Sequence, residues 1–228
     1  VYEPLQGSEA RLLAIPGRQS IITVSSIEPY RPRQRFSIAH ELGHLEMHRR
    51  KLNLISCDSR SITPFRNSES DFELQANQFA SHFLLPSRFL NEIYDKQDVS
   101  FDAIEETATR FEVSLTAAGS RYMSFVDEQL AFVISRKGRI IRFVPSKLFS
   151  DSDLFIKVSE DVESNTVAEK LARGQTIRPG WHTVPVSSWL RGDDFLENAE
   201  VKEWSFFSQQ LDLTLSLIWV DEELFDEW

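Results

Sequence analysis

Cysteine is nearly absent: Cys57 stands alone in 228 residues. An internal disulfide is therefore excluded, and a reducing, cytoplasmic setting is expected. Long apolar runs are missing too. The longest, Leu130 to Ile134 and Leu215 to Val220, read as strands and fall far short of the ~18–20 residues that cross a bilayer. No basic stretch followed by an apolar one opens the sequence, so no secretory signal is visible. A chain that starts at Val1 reads as trimmed. There is no internal repeat, and no low-complexity segment apart from the acidic end. Cations are scarce in one region: residues 192–228 carry Lys202 alone against 11 acids. The net charge of the whole, 25 − 35 = −10, equals that local excess. Residues 1–100 and 101–191 each hold 12 cations and 12 anions. The acidity therefore says nothing against a locally basic surface in the first 190 residues, where Arg31, Arg33 and Arg35 cluster.

What is present is ordinary for a globular chain: 41% apolar and 26% charged residues, with length for one large domain or two small ones. Global disorder is excluded. Residues 9–15 and 20–25 read as strands around a Pro16-Gly17 turn, and 26–33 as a loop with arginines. Helical periodicity runs from about Gln34 to His48, and again at 71–84, where Phe72, Ala76, Phe79, Ala80 and Phe83 share a face. Residues 49–70 read as polar loop. Pro86 ends the second helix, and Ser87 caps a short one to Tyr94. Two helices follow at 101–111 and 115–125. Beyond Asp127 the pattern turns to strands: 129–135 and 139–144 around a Lys137-Gly138 hairpin, then 154–159, 181–189, 200–207 and 212–220, with one helix near 163–173. The expected class is α+β, helix-rich before about residue 126 and strand-rich after it.

The sharpest feature is His40-Glu41-Leu42-Gly43-His44. On a helix, residues i and i+4 share a face, so both imidazoles can meet one Zn²⁺ at about 2.0–2.1 Å. Glu41, about 100° round the helix, can reach the water that a catalytic zinc activates without ligating the metal. A third ligand is needed. His48 lies about 12 Å along the axis from His40, too far to converge on the same ion, and reads as a supporting, packing or surface residue. Glu73, on the second helix, can direct a carboxylate at the site, with Asn77 on the same face able to bond the far ring nitrogen of a ligating histidine. Spacing alone does not choose Glu73 over Glu46, Glu69 or Asp71. Cys57 lies between the two helices and reads as incidental rather than as a ligand or redox switch.

Arg35-Phe36-Ser37-Ile38-Ala39-His40-Glu41-Leu42-Gly43-His44, with His48 following, resembles the zinc helix of the ImmA/IrrE metallopeptidases. Glu73-Leu74-Gln75-Ala76-Asn77-Gln78-Phe79-Ala80, followed by Leu84-Leu85-Pro86, resembles that family's second motif. The resemblance implies zinc ligands His40, His44 and Glu73, with Glu41 as catalytic base and Asn77 supporting a histidine. Mn²⁺ or Fe²⁺ is an alternative metal. It further implies a zincin-like metallopeptidase domain at 1–98, a helix-turn-helix-like segment at 99–126 and a GAF-like sensor domain at 127–228, able to take a small signal molecule. Trp181, Trp189, Trp204 and Trp219 read as core or interface aromatics rather than as a ligand cage. The implied activity is zinc-dependent endoproteolysis of a regulatory protein, typically a helix-turn-helix repressor, in a stress or DNA-damage response.

An endopeptidase needs an oxyanion donor; Tyr30, His48 and His82 are candidates, for that role or for substrate contact. The competing class is a DNA-binding or signal-binding regulator with a structural metal. Arg121 is the single cation in the second helix of the 101–125 pair, so direct DNA reading is not expected. An acidic end from Asp193 to Glu227 would instead attract a basic repressor.

Overall fold

The computed structural model describes residues 1–14, 19–48, 71–94, 98–191 and 199–220. The Pro16-Gly17 turn, the expected loop at 49–70 with Cys57, and most of the acidic end lie outside these residues. The class is α+β. The chain divides into two compact units, Val1–Ile93 with Glu106–Ala117, and Tyr94–Glu105 with Ala118–Trp228.

The first unit holds a three-stranded sheet in the order β1-β3-β2. Strand β1 (Tyr2–Glu3) runs parallel to β3 (Ile21–Ser25), and β2 (Ala10–Leu13) runs antiparallel to it, with Leu12 opposite Ile22. Ala10 and Leu12 point inward while Arg11 and Leu13 face water, the period-two signature of a half-buried strand. Helix α1 spans Arg31–His48 and starts three residues before the periodicity suggests. Pro32 is compatible with a first turn, where its missing N–H is not needed. The N–H groups of Arg33 and Gln34 donate to the Tyr30 carbonyl, and the Tyr30 N–H donates to the Glu28 carboxylate.

The arginines of that turn are ties within the unit, in place of a free basic loop. Arg33 pairs with Glu9 and Glu28, and Arg31 and Arg35 pair with Glu112. Arg35 also donates to the Phe111 carbonyl. Helix α2 (Asp71–Leu84) and helix α3 (Ser87–Tyr94) flank Pro86, as the sequence suggests. Helices α4 (Phe101–Phe111) and α5 (Leu115–Tyr122) are joined through Glu112, which sits at φ 49°. Ser114 caps α5 by accepting from the Ala117 N–H. None of the eight residues of α5 is exposed.

The second unit is built on a five-stranded antiparallel sheet, order β5-β4-β8-β7-β6. Its strands are β4 (Leu130–Arg136), β5 (Arg139–Pro145), β6 (His182–Pro185), β7 (Glu200–Ser208) and β8 (Leu213–Trp219). Lys137 and Gly138 both have positive φ, 51° and 73°, which suits the tight two-residue turn the sequence signals. Short helices α6 (Lys147–Ser150) and α7 (Val167–Ala172) accompany the sheet, and Ala131, Val133, Phe149, Ala168, Trp189, Val201 and Ile218 share one core.

Two expected strands differ. Residues 154–159 form no strand: Leu154 and Ile156 are buried, but the segment makes a single bridge, Phe155 to Arg191, and turns at Ser159 with φ 71°. Alternating burial is met there by packing without a ladder. Residues 181–189 are strand only through Pro185, then a 3-10 turn at Val186–Ser188, as a proline that cannot donate to the ladder favours. Glu203, fully buried on β7, accepts from the Val167 and Ala168 N–H groups at the start of α7, from Trp189 Nε1 and from Ser205 Oγ, at 2.7–3.1 Å.

Candidate metal centre

The buried face of α1 is polar. His40 and Glu41 are 0% exposed, His44 1% and His48 3%, alongside the small residues Ala39 and Gly43. Ionisable groups are rarely buried for packing alone, so this stripe marks a site rather than a core. The small residues set how closely α2 approaches. A Cβ added at Gly43 would stand 3.1 Å from the Phe79 ring and 3.2 Å from Ala76 Cα. That close contact carries Glu73 and Asn77 of α2 to the histidines.

His40 Nε2 and His44 Nε2 face one another at 3.0 Å. Glu73 spans both, with Oε2 3.2 Å from His40 Nε2 and Oε1 3.3 Å from His44 Nε2. Among the described residues, this is the one group of three or more His, Cys, Asp and Glu side chains whose ligand atoms gather tightly enough for a metal ion. Asn77 Oδ1 lies 2.9 Å from His40 Nδ1, so that nitrogen donates and Nε2 keeps its lone pair. Two imidazole nitrogens and a carboxylate therefore converge, a donor set that suits a divalent cation. Burial raises the Glu73 carboxyl, but its close contacts with the His40 and His44 rings outweigh that and hold it down at about 2, ionised as a ligand must be.

Glu41 stands apart from that set. Neither of its carboxyl oxygens has a hydrogen-bond partner among the described residues. Burial pushes its carboxyl up to about 7, with His40 lowering it and Glu73 raising it further. Such a group can take and return a proton near neutral pH.

The remaining sequence candidates have contacts of their own. Both ring nitrogens of His48 are engaged, Nδ1 with His44 Nδ1 and Nε2 with Gln75 Oε1, each at 3.0 Å. His82 is exposed, and its Nδ1 donates to the Gln78 carbonyl at 2.8 Å. Nine residues separate it from Glu73, which turns it about 180° round the helix. Tyr30 is half-buried, with its hydroxyl pKa raised by burial, and its backbone N–H is engaged with Glu28. Gln75 had no assigned role in the sequence. Nothing in its spacing marks it: it is an exposed amide beside the apolar stripe of Phe72, Ala76 and Phe79.

The model of the IrrE N-terminal-like domain, a peptidase family, matches residues 1–123. No curated protein matches the chain.

Proposed function

The chain belongs to the IrrE N-terminal-like peptidase family, as a metallopeptidase of the IrrE/ImmA type, and on that premise we propose that it is a zinc-dependent endopeptidase. His40, His44 and Glu73 hold the ion, and Glu41 is the general base. The observation that carries the reading is Glu41 itself: a fully buried carboxylate without a hydrogen-bond partner among the described residues, beside a His₂Glu cluster. Three ligands also suit catalysis better than structure, since a structural zinc takes four. When bound, a divalent ion there supplies Lewis acidity, lowering the pKa of water toward 7 and polarising the scissile carbonyl. Glu73 stays ionised and orients the cluster, and Asn77 fixes the His40 tautomer. Glu41 accepts the proton of the attacking water and then delivers it to the leaving amine.

The substrate is a regulatory protein, a helix-turn-helix transcriptional repressor cleaved in a stress or DNA-damage response; the family resemblance supports this, and an acidic flank suits a basic partner. Against the competing reading, a DNA-binding regulator, stands α5: a recognition helix needs freely exposed side chains, and every residue of α5 is at least partly buried. The test incubates the zinc-loaded protein with the repressor encoded nearest its gene. Cleavage is expected, and Glu41→Gln should retain zinc while losing ~10²–10⁴-fold in rate. Full activity in that variant sinks the mechanism.

A further inference from the structure

The two histidine ligands are supported differently. His40 donates from Nδ1 to the single amide oxygen of Asn77. His44 Nδ1 meets a second imidazole, His48 Nδ1, at 3.0 Å. Two such nitrogens form one hydrogen bond only if one carries the proton and the other does not. The far end decides which. His48 Nε2 lies 3.0 Å from Gln75 Oε1, an oxygen that can only accept. A neutral His48 therefore carries its proton on Nε2 and offers a lone pair at Nδ1, and His44 is the donor. The Nε2 of His44 is then unprotonated and faces Glu73 and His40. The His48 ring is held for this: it is 3% exposed, and the Phe72 ring packs on it at a centroid distance of 4.7 Å.

We propose that His48 and Gln75 are positioning residues of the metal centre, a one-way hydrogen-bond relay that locks His44 in the tautomer able to take a metal ion. The proposal rests on the metal-site reading above and extends it to two side chains outside the ligand set. Metal-bound histidines commonly lean on a carboxylate or a carbonyl. Here the support is a second imidazole set by an amide, so it fixes direction without adding charge. It also explains why α1 buries a third histidine one turn beyond the motif, at a position that cannot ligate the same ion.

The test measures Zn²⁺ affinity by competition with a chromophoric chelator, on wild type, His48→Phe, His48→Asn and Gln75→Leu. His48→Phe keeps a ring against Phe72 but removes the acceptor, and should weaken zinc binding ~10–100-fold. His48→Asn places Oδ1 where Nδ1 was, and should stay within roughly threefold of wild type. Gln75→Leu frees His48 to protonate either nitrogen, and should lose roughly 3–10-fold. Nitrogen-15 spectra of the zinc-loaded wild type should show the His44 proton on Nδ1. Unchanged affinity in His48→Phe overturns the relay, as does His48→Asn binding as weakly as His48→Phe. If His48→Phe does not fold, unchanged affinity in Gln75→Leu overturns it instead. A wild type that takes up no zinc overturns the metal-site reading and the relay together, whereas a zinc-binding wild type with indifferent variants overturns the relay alone.

Discussion

Among the described residues two glutamates are fully buried, one in each unit, and their surroundings are opposite. Glu203 in the second unit accepts from two backbone N–H groups, an indole and a hydroxyl. Glu41 in the first unit has no hydrogen-bond partner for either oxygen among the described residues. Burying a carboxylate is unfavourable unless donors replace water. In the second unit the donors are supplied, and the residue ties the start of α7 to β7 and Trp189. In the first unit they are withheld, and the carboxyl rises to about 7. Equal burial thus serves structure in one place and proton transfer in the other.

The comparison breaks most visibly by deletion. Glu203→Leu leaves three buried N–H donors without their acceptor and should destabilise the chain by about 3–5 kcal/mol. Glu41→Leu strands no donor, and in chelator-treated protein at pH 8 should stabilise by about 1–2 kcal/mol. Urea unfolding reads both, and equal destabilisation by the two would erase the distinction.

A smaller effect sharpens it through pH. In the metal-free folded chain the Glu41 carboxyl is raised from 4.5 to about 7. Between those values the folded state holds a proton that the unfolded state has shed, so Glu41 makes stability fall as pH rises from about 4.5 to 7, by on the order of 3 kcal/mol. Glu73, held down at about 2, acts in the opposite sense: its contribution is present above about 4.5 and lost as pH falls toward 2. Glu41→Gln should remove the upper arm of the stability profile and leave the lower one. A profile unchanged above pH 4.5 would contradict the raised carboxyl.

The smallest expected effect concerns what brings α2 to Glu41. Gly43→Ala adds a methyl 3.1–3.2 Å from Phe79 and Ala76. It should separate the helices slightly, cost about 1 kcal/mol and weaken zinc binding a few-fold by drawing Glu73 away. Equilibrium zinc titration beside the melting temperature checks both.

Much of this was legible in the sequence, for particular reasons. His40 and His44 follow from helical spacing, and the α+β class from the change of period near residue 126. Glu73 did not follow from spacing, because several acids were equally eligible; the choice needed the family motif, and the geometry shows why, since the Gly43 contact sets which α2 residue arrives. Arg31, Arg33 and Arg35 looked like a free basic loop because their partners Glu9, Glu28 and Glu112 are distant or unremarkable in sequence. The role of Gln75 was invisible for the same reason: a relay depends on which ring nitrogen meets which oxygen, and no periodicity carries that. Residues 154–159 have strand-like alternation but pair only through the bridge from Phe155 to Arg191.

The central strands of the second unit bear on how the chain emerges during synthesis. All of β4 up to Ser135 is buried, and β8 beside it is buried from Leu213 to Ile218. The Ser135 hydroxyl donates to the Thr214 carbonyl across 79 positions of sequence. A ribosome therefore releases β4 and its hairpin partner β5 long before β8 exists to cover the open edge. Contacts of such separation form slowly and leave apolar edges exposed while they wait. The α1–α2 pair that carries the histidines and Glu73 is complete by Leu84, so the peptidase helices can close on one another while the sheet that follows still depends on its last strand.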